Sequence, residues 1–268
     1  MRNTVPPSDE LWVCHLGHIP YYDGVAIQET VRARRQAGEL PDTLLMLEHP
    51  PVYTRGRRAG VQDLPFPESF YRAKGIDVVD TDRGGKLTYH GPGQLVGYPI
   101  MDIDDIGRYL RTMEGAIVDA LAEHGVQARS RHNEGIDYTG VWVDHRKIAS
   151  IGVHVSRGVT THGFAVNVDV DLEPFSWVVA CGLPDVQMTS LAHELACAPQ
   201  WGSAGRAPGL SCFRKEMAYR FCEAHGRRQR LVSAARLGIA PIPAICAAPT
   251  GAEPIESFAP ASLQAVTA

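Results

Sequence analysis

The sequence contains one glycine-rich segment, Arg83-Gly84-Gly85-Lys86-Leu87-Thr88-Tyr89-His90-Gly91-Pro92-Gly93-Gln94. Apolar runs at residues 76–79 and 95–100 flank this segment, and both predict β-strands. Because glycine lacks a Cβ, a ligand can approach the backbone closely, and the N–H groups can surround an anion or a carbonyl oxygen. A plain turn would explain the glycines but not the added arginine, tyrosine and histidine. We therefore expect a binding loop.

The spacing of these glycines does not fit the common nucleotide-binding motifs. No Gly-Lys-Ser/Thr follows at the P-loop spacing, and the dinucleotide fingerprint is not matched. His90 and His162 are candidate ligands or bases, but the sequence has no metal-ligand spacing such as HExxH. We therefore expect no metal and no nucleotide cofactor.

Composition predicts a soluble cytoplasmic protein. The 268 residues are 44% hydrophobic and 21% charged, which is ordinary for a globular chain. The net charge of −4 argues against bulk nucleic-acid binding. No apolar run approaches the roughly 20 residues of a membrane span, and no signal-peptide core follows Met1. The six cysteines are scattered without a CxxC pair, so we expect free thiols.

Hydrophobic patterns predict an α+β fold, in which helices flank one mixed or antiparallel central sheet. Strands and helices are interspersed without a strict β-α-β alternation. Apolar spacing predicts helices over Tyr22–Gln36, Asp104–His124 and Ser211–His225. Strands are predicted at residues 11–17, 43–48, 76–79, 95–100, 141–143, 147–155 and 160–168.

The composition changes near residue 231. Alanine and proline dominate from there onward, and charged residues are nearly absent. We therefore predict one domain over residues 1–230 and a C-terminal tail over residues 231–268. The tail is expected to be mobile or to lie along the surface without forming a packed element.

Cys181 is the best nucleophile candidate among the cysteines. It ends an apolar run and precedes Gly182, in a turn that could expose the thiol at the rim of a sheet and leave N–H groups free for an oxyanion. A thiol reacts as its thiolate, so a cation or base should lie beside it. The other five cysteines are expected to be small buried hydrophobes.

Lys147 is a second candidate because it begins an otherwise apolar strand immediately after a turn. An exposed lysine at a strand end is the ordinary explanation of this pattern. A partly desolvated lysine at such a position could instead act as a general base.

The glycine-rich segment, together with later blocks, resembles the lipoyl(octanoyl) transferases. The resemblance runs from about residue 11 to residue 225. One departure is Ala180, which stands where the family usually has proline before the Cys-Gly pair. The matching blocks are Pro51–Thr54, Arg83–Gln94, Gly140–Val143, Lys147–Gly152, His162–Asn167, Cys181-Gly182 and Thr189–Leu191.

The resemblance implies the fold shared by biotin and lipoate protein ligases, and the activity of an octanoyl-[acyl-carrier-protein]–protein N-octanoyltransferase. Such an enzyme moves octanoyl from acyl carrier protein to a lysine of a lipoyl domain. The acceptors would be the lipoyl domains of 2-oxoacid dehydrogenase E2 subunits and the glycine cleavage H protein. ATP would not be needed, because passing from thioester to amide is downhill, and no metal is expected. We expect a monomer.

The resemblance also assigns roles to individual residues. Cys181 would carry the acyl thioester, and Lys147 would be the paired base. Both protein partners tend to be acidic, which makes Arg55, Arg57 and Arg58 candidate docking cations. Substrate-binding positions would be Arg83, Gly84, Gly85, Lys86, Leu87, Thr88, Tyr89, His90, Ser150, Ile151, Gly152, Gly163, Phe164 and Ala165.

Three other functions fit parts of this pattern. An ATP-dependent lipoate or biotin ligase would explain Lys147 and the glycine-rich segment, but it would give Cys181 no task. An amidotransferase that moves octanoyl between lipoyl-bearing proteins would use the same Cys181 and Lys147 with another donor. A non-catalytic module that binds acylated carrier protein predicts that Cys181→Ala changes nothing.

Overall fold

The computed structural model of the protein describes residues 9–183, 186–197 and 209–240. The α-helices are α1 (Tyr21–Gln36), α2 (Glu68–Ala73), α3 (Ile106–Ala122), α4 (Leu191–Cys197) and α5 (Leu210–Ala224). The strands are β1 (Glu10–His18), β2 (Thr43–Glu48), β3 (Val52–Arg55), β4 (Asp77–Asp80), β5 (Leu87–His90), β6 (Gln94–Ile100), β7 (Arg129–Ser130), β8 (Gly140–Val143), β9 (Arg146–Ser156), β10 (Val159–Asn167), β11 (Gln187–Met188) and β12 (Arg228–Leu231).

The larger of two sheets is mixed and has the order β12-β1-β2-β6-β10-β9-β8-β7, with β11 paired to β9. Strands β12, β1 and β2 are parallel to one another, and β11 is parallel to β9. The pairs from β2 through β6, β10, β9 and β8 to β7 are antiparallel. The predicted α+β fold with a mixed central sheet is therefore confirmed.

Helices cover both faces of this sheet, and β2 shows how the sequence specifies the two layers. Leu44 and Met46 belong to a core shared with α3 and α5, whereas Leu45 and Leu47 belong to a core shared with α1. Because alternate strand residues point to opposite faces, a strand buried on both faces must be apolar throughout. The continuous apolar run of β2 meets this requirement.

A smaller sheet of order β4-β3-β5 packs beside the larger one. Its core joins the β5 residue Tyr89 to α2 through Tyr71 and to the 3₁₀ helix Glu173–Trp177 through Phe175. This sheet holds the glycine-rich segment against the larger sheet. It also places the short 3₁₀ helix Ala180–Gly182 next to β5.

Two parts of the sequence form more regular structure than expected. Strand β3 lies between the strands predicted at residues 43–48 and 76–79, where no strand was expected, and β5 lies within the glycine-rich segment. The two strands pair with each other, Val52 opposite His90, so each depends on a partner that is distant in sequence.

The prediction of an unpacked tail from residue 231 is wrong for residues 231–240. Strand β12 ends at Leu231, and the following 3₁₀ helix Ala234–Leu237 packs on the α1 side of the sheet. Leu237 is fully buried and Ile239 is 8% exposed, so apolar burial stabilises this segment despite its alanine-rich composition. Residues 241–268, and with them Cys246, lie outside the described residues.

In the described parts of the chain, no helix has both the length and the apolar character required to cross a membrane. The cysteines that the structure describes are free thiols, namely Cys14, Cys181, Cys197, Cys212 and Cys222. Cys14 and Cys222 are buried as expected, whereas the expectation of burial is wrong for Cys197 and Cys212, which are exposed.

Candidate active site

Cys181 and Lys147 lie in direct contact, although 34 residues separate them in sequence. The Lys147 Nζ donates a hydrogen bond to the Cys181 Sγ at 3.2 Å. The hydroxyl of Ser150 lies 3.8 Å from the same sulfur. A buried ammonium group beside a thiol stabilises the thiolate form that reacts as a nucleophile.

The sheet itself holds Lys147 in place. Lys147 lies on β9 between Trp142 of β8 and Met188 of β11, and it is only 2% exposed. Its ammonium group lies 5.2 Å from the centroid of the Trp142 ring, in a cation–π contact. A Cβ on Gly140 would lie 2.8 Å from the Lys147 Cε, so the neighbouring strand leaves room for this side chain. The ordinary alternative of an exposed lysine at a strand end is therefore wrong.

The backbone at Cys181 adopts an unusual conformation. Its φ of 56° and ψ of 11° lie in the left-handed region, which costs a non-glycine residue roughly 1–3 kcal/mol. The next residue, Gly182, also has a positive φ of 66°. Two successive left-handed residues make a sharp turn that presents the thiol to the neighbouring strand β9.

Arg83 connects the glycine-rich segment to β3. Its Nη2 donates to the backbone oxygen of Thr54 at 2.5 Å, and its Nε donates to the Thr54 Oγ1 at 3.1 Å. The guanidinium is buried and has no carboxylate partner among the residues described here. Burial lowers the pKa of Arg83. The nearby Tyr21 and, after it, Cys181 oppose this effect, so an anion at the thiol would compensate the arginine charge.

A pocket of about 240 Å³ opens beside Cys181. One wall is formed by the glycine-rich segment, and the opposite wall by β9 and β10. The predicted site residues that line it are Arg83, Gly84, Gly85, Lys86, Leu87, Thr88, His90, Lys147, Ser150, Ile151, Gly152, Gly163, Phe164, Ala165 and Cys181.

Tyr89 is the one predicted substrate-binding residue that does not line this pocket. Side chains alternate along β5, so Thr88 and His90 point to one face and Tyr89 points to the other. The Tyr89 ring packs edge-on against Phe175 at a centroid distance of 5.4 Å, within the core of the smaller sheet. The structure therefore gives the Tyr89 side chain a packing role, away from the site.

Buried polar aromatic side chains lie at the inner end of the pocket. Tyr21, His90 and Tyr98 line this end, and His49 lies behind them. His49 Nδ1 contacts the Ile19 oxygen at 2.6 Å, and its Nε2 lies 2.7 Å from the Tyr98 hydroxyl. Burial lowers the pKa of His49 to about 4 and that of His90 well below its ordinary value.

Sequence reasoning missed Tyr21, Tyr98 and His49, because no motif marks them.

His162, a candidate ligand or base, also lines the pocket. Its Nε2 lies 2.8 Å from the Asp82 Oδ1, and this hydrogen bond lowers the pKa of Asp82 to about 2. Within the described ranges, no group of three or more His, Cys, Asp or Glu residues is placed to hold a metal.

Two of the three candidate docking arginines already have acidic partners. Arg55 binds both carboxylate oxygens of Asp80 and also contacts Glu68. Arg58 donates to Asp137 at 2.7 Å, at the mouth of the pocket.

The chain is similar to lipoyl protein ligases in its catalytic domain and to octanoyltransferases over most of their length. The family model described as the lipoyl protein ligase A/B catalytic domain matches residues 20–204. The octanoyltransferase of Solibacter usitatus is 48% identical over 181 residues, which cover 66% of this chain and 80% of the relative. That of Chloroflexus aggregans is 44% identical over 196 residues, covering 70% of this chain and 87% of the relative. The chain therefore belongs to the octanoyltransferases, which are acyltransferases, and the expected family is confirmed.

Solved structures agree at the level of the fold. A lipoate-protein ligase A bound with ATP superposes with a TM-score of 0.67 at 19% identity, covering 84% of this chain and 89% of that one. A bi-partite lipoate protein ligase from Thermoplasma acidophilum gives a TM-score of 0.63 at 18% identity, covering 84% and 87%. The expected ligase-like fold is therefore confirmed.

Proposed function

We propose that this chain transfers an octanoyl group from acyl carrier protein to a lysine of a lipoyl domain, through an acyl thioester on Cys181. The single observation that carries the proposal is the 3.2 Å contact between the Lys147 ammonium and the Cys181 sulfur at the wall of the pocket. The family to which the chain belongs supports the identity of the acyl group.

In the first step, the Cys181 thiolate attacks the thioester carbonyl carbon of the donor. A carbon–sulfur bond forms at Cys181, and the bond to the phosphopantetheine sulfur breaks. The departing thiolate takes a proton from the Lys147 ammonium. One thioester replaces another, so this step is close to energy-neutral and cysteine suits it as a nucleophile.

In the second step, the acceptor lysine amine attacks the Cys181 thioester. The amine nitrogen loses a proton, which the neutral Lys147 accepts, and the Cys181 thiolate leaves. Lys147 then regains the ammonium form that stabilises the thiolate. Its burial on β9 keeps it in reach of the sulfur in both steps.

The pocket offers an apolar surface for the acyl chain, and Ile151, Phe164 and Ala165 contribute to it. Each buried CH₂ stabilises the bound chain by about 0.8 kcal/mol, so pocket length would select for chain length. Thioester exchange and amide formation require no nucleotide. The proposed partners are octanoyl-acyl carrier protein as the donor and the lipoyl domains of E2 subunits and the glycine cleavage H protein as acceptors.

The test is intact mass spectrometry of the protein mixed with octanoyl-acyl carrier protein, without ATP and without an acceptor. The proposal predicts an adduct of one octanoyl group that hydroxylamine removes and that Cys181→Ser does not form. Adding a lipoyl domain should then move the octanoyl group onto its lysine.

A competing ligase function predicts a different result. The wild type would then form no adduct, and acyl transfer would require both ATP and free octanoate. Cys197→Ser, which alters an exposed thiol, serves as the matched control and should form the adduct normally.

A further inference from the structure

Lys86 brings a second ammonium group to the turn that carries Cys181. It follows Gly85 in the glycine-rich segment and lines the same pocket as Lys147. Its side chain lies directly over Gly182, since a Cβ on that glycine would stand 2.0 Å from the Lys86 Cδ and 2.4 Å from its Nζ. Lys86 therefore approaches the turn from the side of the glycine-rich segment, whereas Lys147 reaches it from β9.

Asp137 and Arg58 restrain the Lys86 ammonium at this position. Asp137 lies just before β8, on the 3₁₀ helix Ile136–Tyr138, and its Oδ2 is 3.8 Å from the Lys86 Nζ. Its other oxygen accepts a hydrogen bond from Arg58 at 2.7 Å. These three charged residues line the pocket mouth together. Asp137 thus compensates two cations, while the Lys86 ammonium stays over Gly182, the residue that follows Cys181.

We propose that Lys86 is a further catalytic residue, whose ammonium group stabilises the oxyanion formed when a carbonyl carbon is attacked at Cys181. This inference rests on the proposed function. In each step the carbonyl π electrons move onto oxygen as the new bond forms, and they return when the leaving group departs. Lys86 neither gains nor loses a proton. It supplies positive charge where negative charge develops, as the donors of an oxyanion hole do.

A simple surface ion pair does not explain this arrangement. At 3.8 Å the contact with Asp137 is long for a salt bridge, and ion pairs of this exposure contribute about 0–1 kcal/mol. The Lys86 side chain is only 23% exposed because its methylene groups pack across Gly182. The packing directs the ammonium toward the Cys181 turn. Lys147 is already engaged by the thiol and the proton transfers, and Arg83 is held by Thr54, so Lys86 is the cation that packs directly on the Cys181 turn.

The experiment compares Lys86→Met with the wild type in single-turnover acylation by octanoyl-acyl carrier protein, followed by quenched-flow intact mass. Loss of one oxyanion donor should slow acylation by roughly 10²–10³-fold. Lys86→Gln retains an N–H donor and should recover part of this loss. Lys215→Met, at an exposed position on α5, is the matched control and should acylate at the wild-type rate.

Alkylation of Cys181 by iodoacetamide distinguishes this role from a structural one. That reaction displaces iodide and builds no oxyanion, so Lys86→Met should change its rate less than about tenfold, as followed on the Cys181 peptide. A loss of alkylation as large as the loss of acylation would overturn the proposal. Acylation of Lys86→Met at the wild-type rate would also overturn it.

Asp137→Asn tests how Lys86 is positioned. Asp137→Asn alone should slow acylation by up to about tenfold. In the Lys86→Met background it should cause no further slowing, because both substitutions act on the same ammonium group. Additive losses would contradict this coupling. Failure of the wild type to form any adduct would refute the proposed function itself, and is thus distinguishable from failure of the Lys86 proposal.

Discussion

The buried His49 should make the protein less stable as the pH falls from 7.5 to 4.5. His49 is fully buried behind the pocket, between the Ile19 carbonyl and the Tyr98 hydroxyl. The carbonyl can only accept, so the Nδ1 carries the proton and the Nε2 accepts from Tyr98. A second proton would remove that acceptor and leave a buried charge without a carboxylate partner among the described residues.

The size of this effect follows from the two pKa values. Burial lowers the pKa of His49 to about 4 from the ordinary 6.5, so the unfolded chain takes up the proton first. The stabilisation is fully present above pH 6.5 and is lost as the pH falls toward 4. Proton linkage between pH 7.5 and pH 4.5 amounts to about 2–3 kcal/mol. The lowered pKa of His90 acts in the same direction.

The assay is urea unfolding at both pH values for the wild type and His49→Gln. Glutamine can donate to the Ile19 carbonyl and accept from Tyr98, but it does not titrate. The variant should therefore lose about 2–3 kcal/mol less than the wild type between the two pH values. His145→Gln, at an exposed histidine, should lose as much as the wild type. Equal losses in the wild type and His49→Gln would refute the assignment of His49 as buried and neutral.

Three further predictions concern catalysis and packing. Lys147→Met should slow single-turnover transfer from the acylated enzyme to a lipoyl domain by roughly 10²–10⁴-fold, because the amine proton loses its acceptor; transfer at the wild-type rate would exclude that role. Gly163→Ala would place a Cβ 2.3 Å from the Gly97 oxygen and should cost about 1–3 kcal/mol in urea unfolding. Gly115→Ala, on α3, places a Cβ with no atom within 4 Å and should instead raise the free energy of unfolding by about 0.5–1 kcal/mol. If both substitutions changed the free energy of unfolding in the same direction, the close contact between Gly163 and Gly97 would be contradicted. Leu237→Ala should lower the free energy of unfolding by about 2–5 kcal/mol, whereas an unpacked segment would show no change.

Elements with a local signal were predicted from the sequence close to their observed bounds. The apolar run Thr43–Glu48 is β2 without any shift, and α3 spans Ile106–Ala122 within the predicted Asp104–His124. Local sequence succeeds here because the continuous apolar run of β2 and the apolar spacing of α3 each match the burial of that element. The N-terminus of α3 is also marked locally, since the Asp105 side chain accepts from the Arg108 N–H at 3.0 Å.

The strands β3 and β5 could not be predicted in the same way. Each has four residues, too few for a clear periodicity, and each forms only because the other pairs with it. The inner end of the pocket is likewise formed by residues that are distant in sequence. Tyr21 begins a helix and Tyr98 lies within a strand, and only the folded chain brings them beside His90.

The glycine-rich segment indicated the chemistry of the candidate site but not the geometry of that site. The Gly84 N–H donates to the Val153 oxygen of β9 at 2.9 Å. A Cβ on Gly152 would lie 2.6 Å from the Gly84 oxygen, so glycines on both sides allow the two backbones to meet. Because the two backbones lie so close, Arg83 lines the pocket and the Lys86 side chain packs across Gly182. The glycines thus serve the fold and the site through the same contact. Because this contact joins the segment to a strand distant in sequence, the motif indicates the charged groups but not their positions.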